Sequence, residues 1–173
     1  YSNRFELTLR FTEEGIVDSD EESLVHSFDW HSPTPFGAII INEFMADPNP
    51  KGLVPPDPVL PTASTDEYIE LYNRTDKPIR LAGFTYNGGT VADLTLEAGG
   101  FALLCPASKV GVFGEWGPAV GVSPFRALPN TSGGIVLSDA FGIVDSLSYD
   151  TSWYHDSQKS QGGWSLERIN PYV

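Results

Sequence analysis

Short runs in which apolar and polar residues alternate dominate the chain. Phe5, Leu7, Leu9 and Phe11 alternate with Glu6, Thr8 and Arg10, the two-residue period of a half-buried strand. A second short apolar stretch covers residues 24–30. Residues 38–44 form an almost continuous apolar run and read as a central strand. Residues 67–72 come next, with Ile69 and Leu71 on one face and Tyr68, Glu70 and Tyr72 on the other. Residues 79–86, 91–96 and 101–105 continue the pattern, punctuated by Asn87-Gly88-Gly89 and Gly99-Gly100. Residues 135–139 and 143–149 predict a hairpin closed by Ala140-Phe141-Gly142. A last strand covers residues 164–169, stopped by Asn170-Pro171.

No amphipathic helical period is sustained, and only Pro106-Ala107-Ser108-Lys109-Val110 has the make-up of one short helix. Two segments look irregular. Residues 47–65 hold six of the fourteen prolines, which excludes a central strand there. Residues 106–129 are broken repeatedly by glycine and proline. Many short strands with turn signals between them predict an all-β sandwich with long irregular loops and at most one short helix. Ser32-Pro33-Thr34-Pro35 reads as a linker. It separates residues 1–36, the end of a preceding β-domain or an N-terminal extension, from a main domain at 37–173. Gly83 predicts a bend, and Gly133-Gly134 and Gly142 predict turns with positive φ.

Charge narrows the function. Twenty-three acidic residues against ten basic ones give a net charge of -13. The bases are scattered, with no two adjacent, which argues against nucleic acid and anionic membrane surfaces. No run approaches the length of a membrane-spanning helix, so no membrane insertion is expected. The single cysteine, Cys105, excludes an internal disulfide and a cysteine-based zinc site, and its apolar context predicts a buried, inert thiol.

The remaining chemistry is sparse. His26, His31 and His155 stand in no metal-ligand spacing, and no nucleophile elbow, P-loop or dinucleotide fingerprint occurs. No catalytic residues are therefore assigned, and the chain is not expected to be an enzyme. Glu43, Asp47, Asp66 and Glu67 flank one long loop and are the candidate ligands for calcium, a hard cation that takes oxygen ligands. Trp116, Trp153 and Tyr154 lie in Gly- and Ser-rich loops and are the candidate ligand-binding rings. Glu70, on the tyrosine face, is a carboxylate expected to receive backbone N–H groups or Arg168.

Several strand segments together resemble a lamin tail domain. They are Ile41-Asn42-Glu43-Phe44, then Asp66-Glu67-Tyr68-Ile69-Glu70-Leu71-Tyr72-Asn73, then Leu81-Ala82-Gly83-Phe84. Asp139-Ala140-Phe141-Gly142-Ile143-Val144-Asp145 and the closing Trp164-Ser165-Leu166-Glu167-Arg168 follow in order. Met45-Ala46-Asp47-Pro48-Asn49-Pro50 is similar to members in Bacteroidetes-type exported proteins. The resemblance spans roughly residues 38–171 and implies an immunoglobulin-like β-sandwich without catalytic residues. It further implies a secreted or cell-surface bacterial setting. The expected function is a protein- or glycan-binding or spacer module of an exported multidomain protein, its partner met at the cell envelope. The alternatives are a structural domain that positions a neighbouring enzyme, a calcium-dependent adhesion module and, last, a hydrolase using acidic residues. Segments 47–65 and 106–127 depart most from the family pattern, and a function private to this chain is expected there.

Overall fold

A computed structural model describes residues 2–9, 24–31, 33–49 and 66–172. The chain divides into two units, Tyr1–Pro33 and Thr34–Val173. In the first, β1 (Ser2–Leu9) and β2 (Leu24–His31) pair antiparallel in unbroken register, from Ser2 opposite His31 to Leu9 opposite Leu24. The alternating segment is thus a strand, while the acidic stretch 13–22 lies outside the described residues.

The second unit is all-β and sandwich-like, with one large curled sheet wrapped around its main core. Its strands are β3 (Ile39–Met45), β4 (Tyr68–Asn73), β5 (Ile79–Arg80), β6 (Thr85–Tyr86), β7 (Gly89–Val91), β8 (Thr95–Leu96), β9 (Phe101–Pro106), β10 (Ala119–Ser123), β11 (Ser132–Ser138), β12 (Ile143–Asp150) and β13 (Leu166–Glu167). The large sheet runs β12-β11-β6-β7-β10-β9-β4-β3-β13, and β5 pairs separately with β8. Inward residues follow the two-residue period: Ile69 and Leu71, Ala102 and Leu104, Val120 and Val122, Ile135 and Leu137 all join the core. Among the described residues, no helix is long and apolar enough to cross a membrane.

The parity of β3 requires an irregularity. Ile39 and Ile41 face the core, and so does Phe44, three positions further on. An uninterrupted strand would turn Phe44 outward. The register between β3 and β4 instead shifts between Ile41 and Glu43, a bulge at Asn42 that restores Phe44 to the core and leaves Glu43 on the outer face.

The free side of β3 is filled by side chains. Strand β13 reaches only Glu43 and Phe44. Beyond it, the Ile41 N–H donates to Asp145 Oδ2 at 2.7 Å, and Arg168 Nε donates to the Ile41 carbonyl at 2.8 Å. Arg168 and Asp145 also form an ion pair at 3.4 Å. These two groups act as a short substitute strand, occupying the donor and acceptor that an edge would leave open. At the other end of β4, Asn73 is fully buried. Its Nδ2 donates to the carbonyls of Lys77, Leu96 and Glu97, and its Oδ1 accepts from Thr75. It ties the turn 74–78 to the chain returning into β9.

Four readings need correction. The expected strand 79–86 is interrupted at Gly83 (φ +86) and yields the separate β5 and β6. Segment 91–96 divides likewise into the end of β7 and β8. Gly133 and Gly134 lie within β11 and have no positive φ. Gly133 is small because a Cβ there would stand 2.8 Å from the Tyr149 hydroxyl. The largest departure is in 106–129, where β10 runs parallel to β9. The return crossover carries a 3₁₀ turn at Ala107–Lys109 and α1 (Val110–Phe113). Gly121 hid this strand, and a Cβ there would meet Ala107 Cα at 2.9 Å, so the crossover packs directly on the strand it serves.

Candidate binding cleft

A parallel pair cannot be joined by a hairpin, and the chain must cross one face of the sheet to return. The crossover between β9 and β10 therefore makes a partial third layer outside β3, β4 and β9. Phe113 of α1 is its anchor, buried against Met45, Tyr68 and Cys105 in a second, smaller apolar cluster, with its ring 5.7 Å from that of Tyr68. Lys109 ties the start of the crossover to Asp66 at 3.1 Å. Beyond α1 the chain turns back: the Trp116 N–H donates to the Phe113 carbonyl at 3.0 Å, and the Leu103 N–H to the Pro118 carbonyl at 2.8 Å. Trp116 is thus held from both sides at the rim while its side chain remains open to solvent.

Between this rim and the sheet lies a cleft of about 200 Å³, with Glu43, Tyr68, Glu70, Phe101, Trp116 and Pro118 among its walls. Two of its aromatic residues stand open, Trp116 at 51% exposed and Phe101 at 43%. Glu43 and Glu70 are direct cross-strand partners, and Glu167 of β13 is the partner of Glu43 on its other side. Three glutamates thus occupy one register line across adjacent strands, where like charges oppose one another.

The two glutamates in the cleft are firmly held. Tyr68 donates its hydroxyl to Glu43 Oε1 at 2.6 Å, and Asn42 Nδ2 donates to Glu70 Oε1 at 2.8 Å. Glu70 is pushed above the ordinary carboxylate range by burial and then by Glu43 and Glu167, against the Asn42 hydrogen bond. The Tyr68 hydroxyl is pushed far up, first by burial and then by the Glu43 charge. Among the described residues lining the cleft there is no Lys, Arg or His.

The sequence candidates separate accordingly. Glu43 and Trp116, assigned to different chemistries, meet in the cleft. Trp153 is exposed in a 3₁₀ turn at Thr151–Tyr154, and the Tyr154 hydroxyl donates to the Trp164 carbonyl at 2.8 Å. Neither lines the cleft. Of the four proposed calcium ligands, Glu43 accepts from the Tyr68 hydroxyl and Asp66 is paired with Lys109. Glu67 accepts the Leu128 N–H at 2.6 Å. Burial raises the Glu67 carboxyl, with the Asp47 charge adding to it. Among the described residues, no three His, Cys, Asp or Glu side chains converge as a metal ion would need. Glu70 receives Asn42 rather than the expected Arg168, which is committed to Ile41 and Asp145.

Tyr68, Glu70, Phe101 and Phe113 escaped the sequence reading as site residues. The outward Tyr68-Glu70 pattern was legible, but its meaning depends on Glu43 and the crossover lying across it. Residues 50–65, the other segment expected to carry function, lie outside the described residues. Cys105 is fully buried, and burial pushes its thiol up to about 11, as suits an inert position. Compared with known proteins, the chain matches no family profile, no curated protein and no solved structure.

Proposed function

We propose that this chain is a lamin-tail-like, non-catalytic binding module of an exported bacterial multidomain protein, and that the cleft is its contact surface. One observation carries the reading. A crossover fixed by backbone hydrogen bonds presents Trp116, and the start of β9 presents Phe101, beside a polar floor, the combination of open rings and few oriented polar groups found in recognition sites. Soluble domains generally bury such rings, so two standing open at one concavity favour a partner that covers them. The resemblance of the strand motifs to lamin tail domains supports the non-catalytic role and the exported setting. The engaged state of Glu43 and Glu70, one holding a tyrosine hydroxyl and the other an asparagine amide, suits positioning of a ligand better than proton transfer.

The test is a titration of the ¹⁵N-labelled chain with neutral and acidic oligosaccharides and with short acidic, neutral and basic peptides. The expected result is perturbation confined to the residues of the cleft, abolished by Trp116→Ala with an unchanged melting temperature. Perturbation centred on Trp153, or none with any probe, would overturn the assignment.

A further inference from the structure

The charge arrangement of the cleft specifies a ligand class more narrowly. We infer that the cleft takes the guanidinium of an arginine side chain presented by a protein partner. This rests on the reading of the cleft as a contact surface, and four features of it point the same way.

The first is electrical imbalance. Elsewhere the buried carboxylates Asp66 and Asp145 each face a cation, Lys109 and Arg168. Glu43 and Glu70 lie side by side in a partly apolar concavity whose described lining residues include no cation, and Glu167 adds a third charge to the row. In such surroundings an incoming positive group is attracted far more strongly than at an open surface, while the net charge of -13 repels acidic partners.

The second is the fixing of the two carboxylates. Asn42 is 5% exposed and its Nδ2 is spent on Glu70, while the Tyr68 hydroxyl is spent on Glu43. Each carboxylate is thereby held in place by one oxygen.

The third is the pair of open rings. Trp116 and Phe101 offer faces for a guanidinium plane or for the methylene stem that carries it. The fourth is number and shape. Two abreast carboxylates suit a planar fork of several N–H donors better than the compact ammonium of lysine. A hard divalent cation would need six or more oxygens, and this cleft does not assemble them.

The experiment uses the full chain and three otherwise identical Gly/Ser peptides bearing one central arginine, lysine or citrulline. Citrulline keeps the shape of arginine and removes its charge. Binding is read from the Trp116 indole N–H and the Asn42 side-chain amide resonances. The arginine peptide is expected to shift both, to bind at least tenfold more tightly than the citrulline peptide, and to weaken as salt is raised. Glu43→Gln with Glu70→Gln together should abolish the difference between arginine and citrulline. Equal binding of the two peptides, or an arginine preference that survives the double substitution, would overturn the inference. If the double variant does not fold, the arginine–citrulline comparison in the unaltered chain decides alone. Neutral oligosaccharide binding at Trp116 without arginine binding would refute this inference and leave the contact surface standing, whereas silence from every probe removes both.

Discussion

Replacing Arg168 by alanine should be among the most damaging single changes in the second unit. Asp145 is 6% exposed at its side chain and Arg168 31%. Deleting the guanidinium leaves a buried carboxylate facing only the Ile41 N–H, and it strips the buried Ile41 carbonyl of its donor. Breaking one side of a buried pair costs about 3–5 kcal/mol. The partial exposure of Arg168 places this case at the lower end, about 3 kcal/mol, since water can screen part of the stranded charge. For a domain of this size that corresponds to a fall of about 10 °C in melting temperature. Urea and thermal unfolding would measure it. Arg168→Lys should recover less than half of the loss, because one ammonium cannot serve the Ile41 carbonyl and Asp145 in the same fork geometry. A double-mutant cycle with Asp145→Asn should show coupling of about 1 kcal/mol or more. A loss below about 1 kcal/mol for Arg168→Ala, or additivity in the cycle, would refute the view that these side chains close the free side of β3.

Three other outcomes follow from the structure. Glu70→Gln should stabilise the fold at neutral pH by a few tenths to about 1 kcal/mol, because it removes a charge opposed by Glu43 and Glu167 and keeps an acceptor for Asn42. The sign with pH is definite: a carboxyl raised in the folded state holds its proton longer than in the unfolded chain, so its charge costs stability as pH rises through the ordinary value near 4.5. The advantage of glutamine should therefore vanish at pH 3 and be complete at pH 7, and an equal advantage at both would contradict the stated cause. Gly162→Ala should cost about 3 kcal/mol by urea unfolding, since φ is +93 and a Cβ would stand 2.3 Å from the Asn49 carbonyl oxygen. Gly88→Ala, at φ +81 with no atom within 4 Å of the added carbon, should cost only about 1 kcal/mol, and equal losses would discount the clash. Cys105 should react with a thiol reagent at pH 8 roughly a hundredfold more slowly in the folded chain than in urea, and fast native labelling would contradict its burial.

The strands were legible because their signal is local. Alternating or continuous apolar runs located β1, β3, β4, β9, β11 and β12, and the two faces of β4 were separated by its period alone. Gly83 was read as a bend or bulge within one strand, and its positive φ instead falls between two separate strands. The parallel strand β10 was lost because Gly121, flanked by Gly117-Pro118 and Pro124, looks like loop chemistry. Only the packing of Ala107 against it explains the glycine. The site was harder for a related reason. Glu43 and Trp116 were both noticed, but they are 73 positions apart in sequence, and nothing local says that a crossover lays one over the other. The proposed calcium ligands Glu43, Asp47, Asp66 and Glu67 form no cluster among the described residues for a related cause. Neighbours in sequence on an extended chain point to opposite faces, so Asp66 turns to Lys109 while Glu67 turns to Leu128.

The division of labour between motif and crossover bears on what the module does. The most constrained polar residues of the second unit serve the fold: Asn73 ties turns together, and Asp145 and Arg168 close the side of β3. The bulge at Asn42 corrects the parity of the strand, yet it also sets Glu43 and Glu70 abreast, where they cost stability. That cost would be smaller with glutamine at either position, and a domain needing only to act as a spacer gains nothing from keeping both charges. Of the rings beside them, Trp116 comes from the crossover and Phe101 from the start of β9. A stable frame that tolerates an electrostatic cost at one place, covered by a segment of its own, is the arrangement expected where binding rather than folding set the residues.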